Sequence, residues 1–283
     1  MAMMTSGKLT GTKGLVLYYE LWEPSTPPRA LVALAHGYAE HIGRYRHVIE
    51  ALVAHGYVVA ALDHHGHGQS EGPRAVTQDF DRYIQDFHHL VERVRADVPT
   101  LPLVVMGHSM GGLIAVRYTL AHQPTVAALV VSGAALQVGE ETSPLLKKVS
   151  GPLARLIPNV PLLPHQNHEL SRDPAIFDHF MSDPLNYTGR VKTALAYQLL
   201  STSDATRRQL GALTVPMLIM HGTDDRLTAP SGSQRLYEMA RSEDKTLRMW
   251  QDNFHEIFNE LDQDNVLATL VHWLNQRFPA PGA

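Results

Sequence analysis

The stretch GHSMGG at residues 107–112 has the pattern G-x-S-x-G with Ser109 at its centre. It directly follows the apolar run Pro102 to Met106 and precedes the helical pattern Leu113 to Ala121. In such a tight strand–turn–helix junction the serine lies at the edge of a sheet, and the backbone N–H of its neighbour points into the same space. A glycine-rich turn with an idle serine is the alternative, and the flanking strand and helix disfavour it. Ser109 is therefore predicted to be a nucleophile.

Short apolar runs on both sides of this stretch alternate with helical patterns. Runs of this length are typical of strands that are buried on both faces of a parallel sheet, and they lie at Leu31 to Ala35, Tyr57 to Leu62, Leu103 to Met106, Ala127 to Val131 and Met217 to Met220. The pattern of Gly14 to Trp22 predicts an extra strand near the edge of the sheet. The alternation predicts an α/β fold with a mostly parallel central sheet flanked by helices.

The alternation stops at about Ala134 and resumes at about Pro216. Prolines punctuate short helical stretches in between, and no run typical of a buried strand is present there. We therefore predict a core at residues 1–134 and 205–283, with a helical cap inserted at 135–204. The cap is expected over the carboxyl edge of the sheet, where open α/β sheets bind ligands.

Composition narrows the classes of function. The 283 residues carry a formal net charge of −4, which gives no indication of nucleic-acid binding. The chain has no cysteine, so thiol catalysis and zinc–thiolate sites are excluded. The start, Met1 to Thr12, is polar, and no apolar run approaches the roughly 18 residues of a membrane span. We expect a soluble cytoplasmic protein, with peripheral contact at membranes left open and the oligomeric state unknown.

The chain order of such sites identifies the general base. Enzymes with this elbow place the serine first, then an aspartate or glutamate, and then the histidine. His255 follows the strand-like run Thr246 to Trp250, so it is predicted to lie at the end of a strand. The other histidines fit less well, because they fall in the insertion, precede the acid candidates or lie in the last helix; these are His165, His168, His179, His221 and His272.

Two adjacent aspartates compete for the role of the acid. Asp224 and Asp225 follow the buried run Met217 to Met220, and a carboxylate there can orient an imidazole. Adjacent side chains cannot both point at one histidine, so the residues alone leave the choice open. Asp252 is a weaker candidate, because it is too close to His255 in the chain.

The loop after the run Leu31 to Ala35 is predicted to complete an oxyanion hole. Such a loop commonly supplies one of the two backbone N–H groups that bind the oxyanion, and Gly37 allows the backbone to approach a substrate. We nominate the N–H groups of Tyr38 and Met110. His36 is expected to hydrogen-bond the loop without taking part in the reaction.

A histidine-rich loop offers an alternative chemistry. Asp63, His64, His65 and His67 lie within five residues, a spacing found in dinuclear metal hydrolases. The simpler interpretation is a glycine-rich loop that these side chains fix by hydrogen bonds. Because a complete serine constellation already explains the chemistry, we predict that no metal or cofactor is needed.

The motifs together resemble the monoacylglycerol lipases, bacterial members especially, and related lysophospholipase-like serine hydrolases of the α/β-hydrolase fold. The resemblance covers roughly Gly14 to Phe278. It rests on the elbow and on residues 36–45, 63–70, 171–173, 182–185, 221–227 and 254–256. In this family the catalytic aspartate directly precedes an arginine, which selects Asp225. The resemblance also places Glu40 and Arg44 near the glycerol end of the pocket. Many relatives have arginine where this chain has His65, so a loop-stabilising contact is in doubt.

The resemblance implies a small lipid substrate and a cap that forms the acyl-chain entrance and touches membranes. The leading hypothesis is hydrolysis of monoacylglycerols by Ser109, Asp225 and His255. A broader carboxylesterase or lysophospholipase is the alternative, and a metal-dependent hydrolase or a non-catalytic binding protein is more remote. Substrate contacts are expected from Gly37, Glu40, Arg44, His108 and one apolar face of the cap, comprising Leu145, Leu146, Val149, Leu153 and Ile157.

Overall fold

A computed structural model describes residues 3–138, 151, 154, 156–163 and 169–282. In chain order its strands are β1 (Met3–Thr10), β2 (Val16–Glu23), β3 (Ala30–Ala35), β4 (Tyr57–Leu62), β5 (Leu103–His108), β6 (Ala128–Ser132), β7 (Pro161–Leu163), β8 (Val191–Lys192), β9 (Met217–Gly222) and β10 (Lys245–Trp250). The α-helices are α1 (Arg46–Ala54), α2 (Asp81–Arg95), α3 (Met110–His122), α4 (Pro174–Ser182), α5 (Thr193–Arg207), α6 (Pro230–Met239) and α7 (Gln263–Arg277).

Eight strands form one sheet in the order β1-β2-β4-β3-β5-β6-β9-β10. In this spatial order, all neighbouring strands from β4 to β10 are parallel. Strands β1 and β2 are antiparallel additions at one edge. The predicted α/β fold with a mostly parallel sheet is confirmed.

The central strands are buried on both faces because helices cover the sheet from both sides. In β3 the side chains of Leu31 and Ala33 belong to the core that α2 and α3 cover. Those of Val32 and Leu34 belong to the opposite core, under α1 and α7. This two-sided burial explains the continuous apolar runs in the sequence.

Helix α2 shows how the periodic pattern fixes packing. Its residues Tyr83, Phe87, Leu90 and Val94 recur at helical spacing, and all four are buried against the sheet. Each fully buried apolar side chain of this kind contributes roughly 1.5–3 kcal/mol. The amphipathic pattern therefore determines which face of α2 meets the sheet.

The edge of the sheet differs from the prediction. The extra strand predicted over Gly14 to Trp22 is β2, which ends one residue later. No strand is predicted over Met3–Thr10, although these residues form the outer strand β1. Most side chains of β1 are exposed, so the strand lacks the apolar run by which the buried strands were identified.

The predicted insertion contains β7, α4, β8 and most of α5. Strands β7 and β8 form a separate two-stranded antiparallel sheet. Helix α5 continues past the proposed boundary at residue 204. The division of the chain into core and cap stays a prediction. Among the described residues, no helix combines the length and apolar character needed to cross a membrane.

The sheet brings distant parts of the chain to one edge. Strands β3, β5, β9 and β10 run parallel, so their carboxyl ends meet. The residues that follow these strands include Gly37, Ser109, Asp225 and His255. The fold thus gathers, at a single edge, side chains that are up to about 220 residues apart in the chain.

Candidate active site

Ser109 occupies a strained turn between β5 and α3. Its backbone has φ 54° and ψ −118°, a conformation that residues other than glycine rarely adopt. A Cβ at Gly107 would overlap the backbone of Gly111, and one at Gly111 would overlap the carbonyls of Ala35 and His36 at the end of β3. Only glycine therefore lets the strand, the turn and the helix pack this closely. The serine N–H donates to the Ser132 carbonyl at 3.0 Å, and its side chain remains partly exposed.

His255 and Asp225 form a buried hydrogen-bonded pair. Nδ1 of His255 lies 2.7 Å from Oδ2 of Asp225. The other oxygen, Oδ1, accepts the backbone N–H groups of Leu227 and Thr228, both at 2.9 Å. Asp224, by contrast, is exposed, and its carboxylate accepts a hydrogen bond from the neighbouring threonine. Of the two aspartates that the residues alone left open, the fold brings Asp225 to the imidazole.

The electrostatics of this pair fix its charge states. Burial alone would raise the pKa of the Asp225 carboxyl, but the charge of His255 and hydrogen bonds from His221 and His255 hold that pKa well below its usual range. Burial would lower the pKa of His255, yet the charge of Asp225 and its hydrogen bond raise it above the ordinary value. The aspartate thus stays ionised and favours proton uptake by the histidine.

His255 packs beside the elbow. Its ring lies against that of His108, the residue before Ser109, with 4.6 Å between the centroids. Nδ1 of His108 is 2.8 Å from the Ser132 hydroxyl. Burial, followed by the charge of His255, lowers the pKa of His108 to about 3. A neutral imidazole therefore stands next to the candidate base at neutral pH.

The loop after β3 passes directly beside the serine. A Cβ added to Gly37 would lie 3.3 Å from the Cβ of Ser109. Tyr38 follows Gly37, and Met110 begins α3, whose first N–H groups have no intrahelical partner. The segments that carry the two nominated N–H groups therefore meet at Ser109.

A buried ion network supports this loop. Oε1 of Glu40 accepts the Gly37 N–H and the Tyr45 hydroxyl, both at 2.5 Å. Arg44 donates to Oε2 of Glu40 at 2.8 Å and binds both oxygens of Glu256 at 2.5 and 2.7 Å. Glu256 directly follows the candidate base in the chain, so the network joins the loop after β3 to the loop after β10. Glu256 and Tyr45 are not among the site residues predicted from the sequence.

The charges of this network differ between its two carboxyls. Burial raises the pKa of Glu40, and the nearby charge of Glu256 adds to that effect against the pull of Arg44. For Glu256, burial is outweighed by the charge and hydrogen bonds of Arg44, and its pKa falls to about 2. Arg44 is thus paired most strongly with Glu256.

The histidine-rich loop is held by hydrogen bonds. Asp63 accepts backbone N–H groups of Ile42 and Gln69, and Nε2 of His64 lies 3.1 Å from the His36 carbonyl. His36 in turn accepts the His64 N–H, which agrees with its expected role in the loop. Within the described part of the chain, no group of three or more histidines and carboxylates is arranged to hold a metal ion.

His65 makes the loop contact that the departure from the family placed in doubt. Its Nδ1 lies 2.7 Å from Oδ2 of Asp86 on α2, and both side chains are buried. Nδ1 of His67 lies 3.1 Å from the His65 carbonyl. A histidine at this position therefore still ties the loop to a helix.

The apolar face predicted in the cap lies largely outside the described residues. This applies to Leu145, Leu146, Val149 and Leu153. Ile157 is described and is 40% exposed, and its neighbour Leu156 is 80% exposed. A role of these side chains in binding an acyl chain stays a prediction.

Comparison with known proteins identifies the family. Residues 26–262 match the family described as serine aminopeptidase, S33. The chain belongs to this family. The match spans the elbow and both residues of the Asp225–His255 pair, and the predicted resemblance is confirmed. The chain is 39% identical over 264 residues to a monoacylglycerol lipase of Mycolicibacterium smegmatis, with coverage of 93% of this chain and 94% of the relative.

Further relatives extend this likeness. The chain is 35% identical over 277 residues to the monoglyceride lipase of Homo sapiens, covering 97% of this chain and 91% of that protein. A solved structure of the Paleococcus ferrophilus monoacylglycerol lipase aligns with a TM-score of 0.82 at 29% identity, covering 92% of this chain and 99% of the other. The predicted α/β-hydrolase fold is confirmed by this agreement.

Proposed function

We propose that this S33 hydrolase cleaves the ester bond of monoacylglycerols to a free fatty acid and glycerol. The observation that carries the proposal is the buried Asp225–His255 pair beside the strained Ser109 turn. The monoacylglycerol lipases among its relatives supply the substrate class. The chain and these relatives cover each other over more than nine-tenths of their lengths.

In the proposed mechanism Ser109 is the nucleophile and His255 the general base. The Ser109 hydroxyl oxygen attacks the ester carbonyl while Nε2 of His255 takes its proton. Asp225 holds the imidazole with Nδ1 protonated and stabilises the imidazolium that forms. The N–H groups of Tyr38 and Met110 bind the developing oxyanion. Collapse of the intermediate then breaks the ester bond, and His255 protonates the departing glycerol oxygen.

Water completes the cycle. His255 removes a proton from a water molecule, which attacks the acyl-enzyme carbonyl at the same oxyanion hole. Breakage of the serine ester returns the proton to Ser109 and releases the fatty acid. Every step is a proton or acyl transfer among groups of this chain, substrate and water, so the proposal includes no metal or cofactor.

The polar glycerol end and the apolar acyl end of the substrate need different binding sites. We place the glycerol end near Glu40 and Arg44, whose charged groups lie on the loop beside the serine. Gly37 and His108 would border the reacting ester. The acyl chain is assigned to the proposed cap of residues 135–204, with Leu145, Leu146, Val149, Leu153 and Ile157 along its path.

The cap is also the proposed site of transient contact with a lipid surface. Several large apolar side chains of this segment are exposed, namely Leu156, Ile157, Val160 and Met181. Apolar groups exposed together at a substrate entrance are typical of surfaces that meet lipid. Such contact would let a monoacylglycerol pass from an aggregate or membrane into the site.

Substrate profiling tests the proposal. We expect kcat/KM to rise with acyl length along a monoacylglycerol series and then reach a plateau, since each buried methylene adds up to roughly 0.8 kcal/mol. Triacylglycerols should be poor substrates because two further chains do not fit a glycerol-sized exit. Equal use of both classes, or preference for acetyl esters, lysophospholipids or amino-terminal peptide bonds, would contradict the proposal.

A further inference from the structure

A second histidine, His221, also contacts the candidate acid. Nε2 of His221 lies 3.0 Å from Oδ2 of Asp225, the same oxygen that His255 contacts. The side chains of His221 and Asp225 are both fully buried. His221 lies on β9, four residues before the aspartate, so the two residues are held by one strand and its turn. The mechanism proposed above does not use this contact.

The neighbours of His221 determine which nitrogen carries its hydrogen. Nε2 faces two acceptors, Oδ2 of Asp225 and the Thr228 carbonyl at 3.1 Å, so this nitrogen must donate. Nδ1 lies 2.7 Å from the hydroxyl of Ser233 on α6, which can donate to it. The hydroxyl therefore supports the tautomer that donates to Asp225.

We propose that His221 is a positioning residue for the reaction. It holds Oδ2 of Asp225 in line with Nδ1 of His255 and extends the buried chain of hydrogen bonds from His255 through Asp225 and His221 to Ser233. This inference rests on the proposed function, because it assigns His221 a part in the same catalytic cycle. The ring nitrogens of His221 contact Asp225, Thr228 and Ser233, so we assign it an effect through Asp225.

Loss of the His221 donor changes how the negative charge of Asp225 acts on His255. Oδ2 shares its negative charge between His255, His221 and the Thr228 hydroxyl at 2.8 Å. Without the His221 donor, more of that charge acts on His255, while the N–H groups of Leu227 and Thr228 still keep the carboxylate beside the imidazole through Oδ1. The pKa of His255 then rises and its orientation loosens. The other titratable groups that act on His255 include Glu256 and Glu40 and the neighbouring ring of His108, and this substitution does not change them.

The test compares His221→Leu with His221→Gln. Leucine cannot donate, so we expect kcat to fall roughly 10- to 100-fold with KM nearly unchanged. The acid limb of the pH profile of kcat/KM should move up by about half a pH unit or more. Glutamine can place an amide N–H near Asp225, so it should restore both the rate and the position of the limb. A residue that only fills the core would lower stability without moving the limb.

His65 provides the matched control. It forms a buried histidine–carboxylate hydrogen bond with Asp86 that does not involve the Asp225–His255 pair. His65→Leu should lower the midpoint of urea unfolding but leave the acid limb at its wild-type pH. Rates are expressed per site labelled by a fluorophosphonate, so that unfolded protein does not count. Movement of the limb in His65→Leu equal to that in His221→Leu would overturn the inference.

If His221→Leu does not fold, Ser233→Ala tests the role of His221 instead. Loss of the hydroxyl removes the support of the donating tautomer, so kcat should fall a few-fold and the limb should move in the same direction. A wild-type kcat and a wild-type acid limb in this variant would overturn the inference.

Monooctanoylglycerol and p-nitrophenyl butyrate are both used as substrates. If the wild type hydrolyses neither, the proposed function fails, whereas wild-type hydrolysis with unshifted variants contradicts only the role of His221.

Discussion

Arg44 forms a two-point ion pair with Glu256, with N–O distances of 2.5 and 2.7 Å, although 212 residues separate them. Glu256 is the chain neighbour of His255, and Arg44 also binds Glu40 on the loop beside Ser109. One guanidinium therefore ties the loop of the proposed oxyanion hole to the loop of the proposed base. The distance between these two loops depends on a buried charge network.

Replacing Arg44 should strongly destabilise the protein. Arg44→Met would leave two buried carboxylates, Glu40 and Glu256, without their cation, and such a loss costs about 3–5 kcal/mol. Urea unfolding measures the change. The control is Arg93→Met, which breaks an exposed pair with Asp97 whose N–O distance is 2.6 Å. That change should stay within about 1 kcal/mol, and equal losses in both variants would contradict the prediction.

Ser109→Ala should abolish turnover and leave the fold intact. Removal of the nucleophile from a serine triad lowers kcat by on the order of 10⁶-fold. Hydrolysis of a monoacylglycerol and labelling by a fluorophosphonate give independent readouts. Wild type should be labelled and the variant should not. Labelling of Ser109→Ala at the wild-type level would place the nucleophile elsewhere.

The two adjacent aspartates should respond very differently to the same substitution. Asp225→Asn removes the charge that faces Nδ1 of His255, and loss of the acid from a triad lowers kcat by about 10⁴-fold. Asp224→Asn alters an exposed carboxylate bonded to its neighbour, so kcat should stay close to wild type. Matched kinetics of the two variants test the assignment. A larger loss in Asp224→Asn would reverse it.

Stability should fall as the pH drops below 6.5. Burial, joined by neighbouring imidazoles, lowers the pKa of His64 to about 3 and that of His108 to about 3, and also lowers those of His36 and His67. The unfolded chain binds protons at these histidines below about pH 6.5, but the folded chain does not. Each one therefore removes up to roughly 1.4 kcal/mol of unfolding free energy per pH unit.

Urea unfolding measures how the unfolding free energy changes with pH over about two pH units, from about pH 7.5 to about pH 5.5. His255 works in the opposite sense, because its pKa is raised in the folded state and its protonation stabilises the fold at low pH. His64→Asn should reduce the pH dependence of the unfolding free energy by the contribution of about one proton. His272→Gln, an exposed histidine on α7, should leave it unchanged. A stability that does not vary over this range would show that the buried histidines bind protons in the folded state.

The features that the sequence predicted are those with a local signature. The buried parallel strands showed continuous apolar runs, and the Ser109 turn showed glycines at the positions where a Cβ would clash. Strand β1 lacked such a signature because an exposed edge strand needs no apolar face. The choice between Asp224 and Asp225 required the family resemblance, since both follow the same strand and only the turn decides which one points inward.

Contacts between distant segments could not be predicted in this way. Nothing in the neighbourhood of Glu256 indicates that Arg44 will pair with it, because the pairing depends on how two loops approach each other in the folded chain. His221 was set aside as a base for a sound reason, its place before the acid candidates. Its contact with Asp225 depends on the turn after β9, which brings the carboxylate back toward its own strand.

The backbone of Ser109 also bears on laboratory evolution. Its φ of 54° and ψ of −118° fall where glycine is at ease and serine carries a strain of about 1–3 kcal/mol. A library screened for heat resistance alone would reward Ser109→Gly, which relaxes the turn and removes the hydroxyl in one step. Selection for thermal stability therefore favours glycine at position 109, whereas selection for turnover favours serine. A screen for thermostable variants must measure both stability and activity in every round.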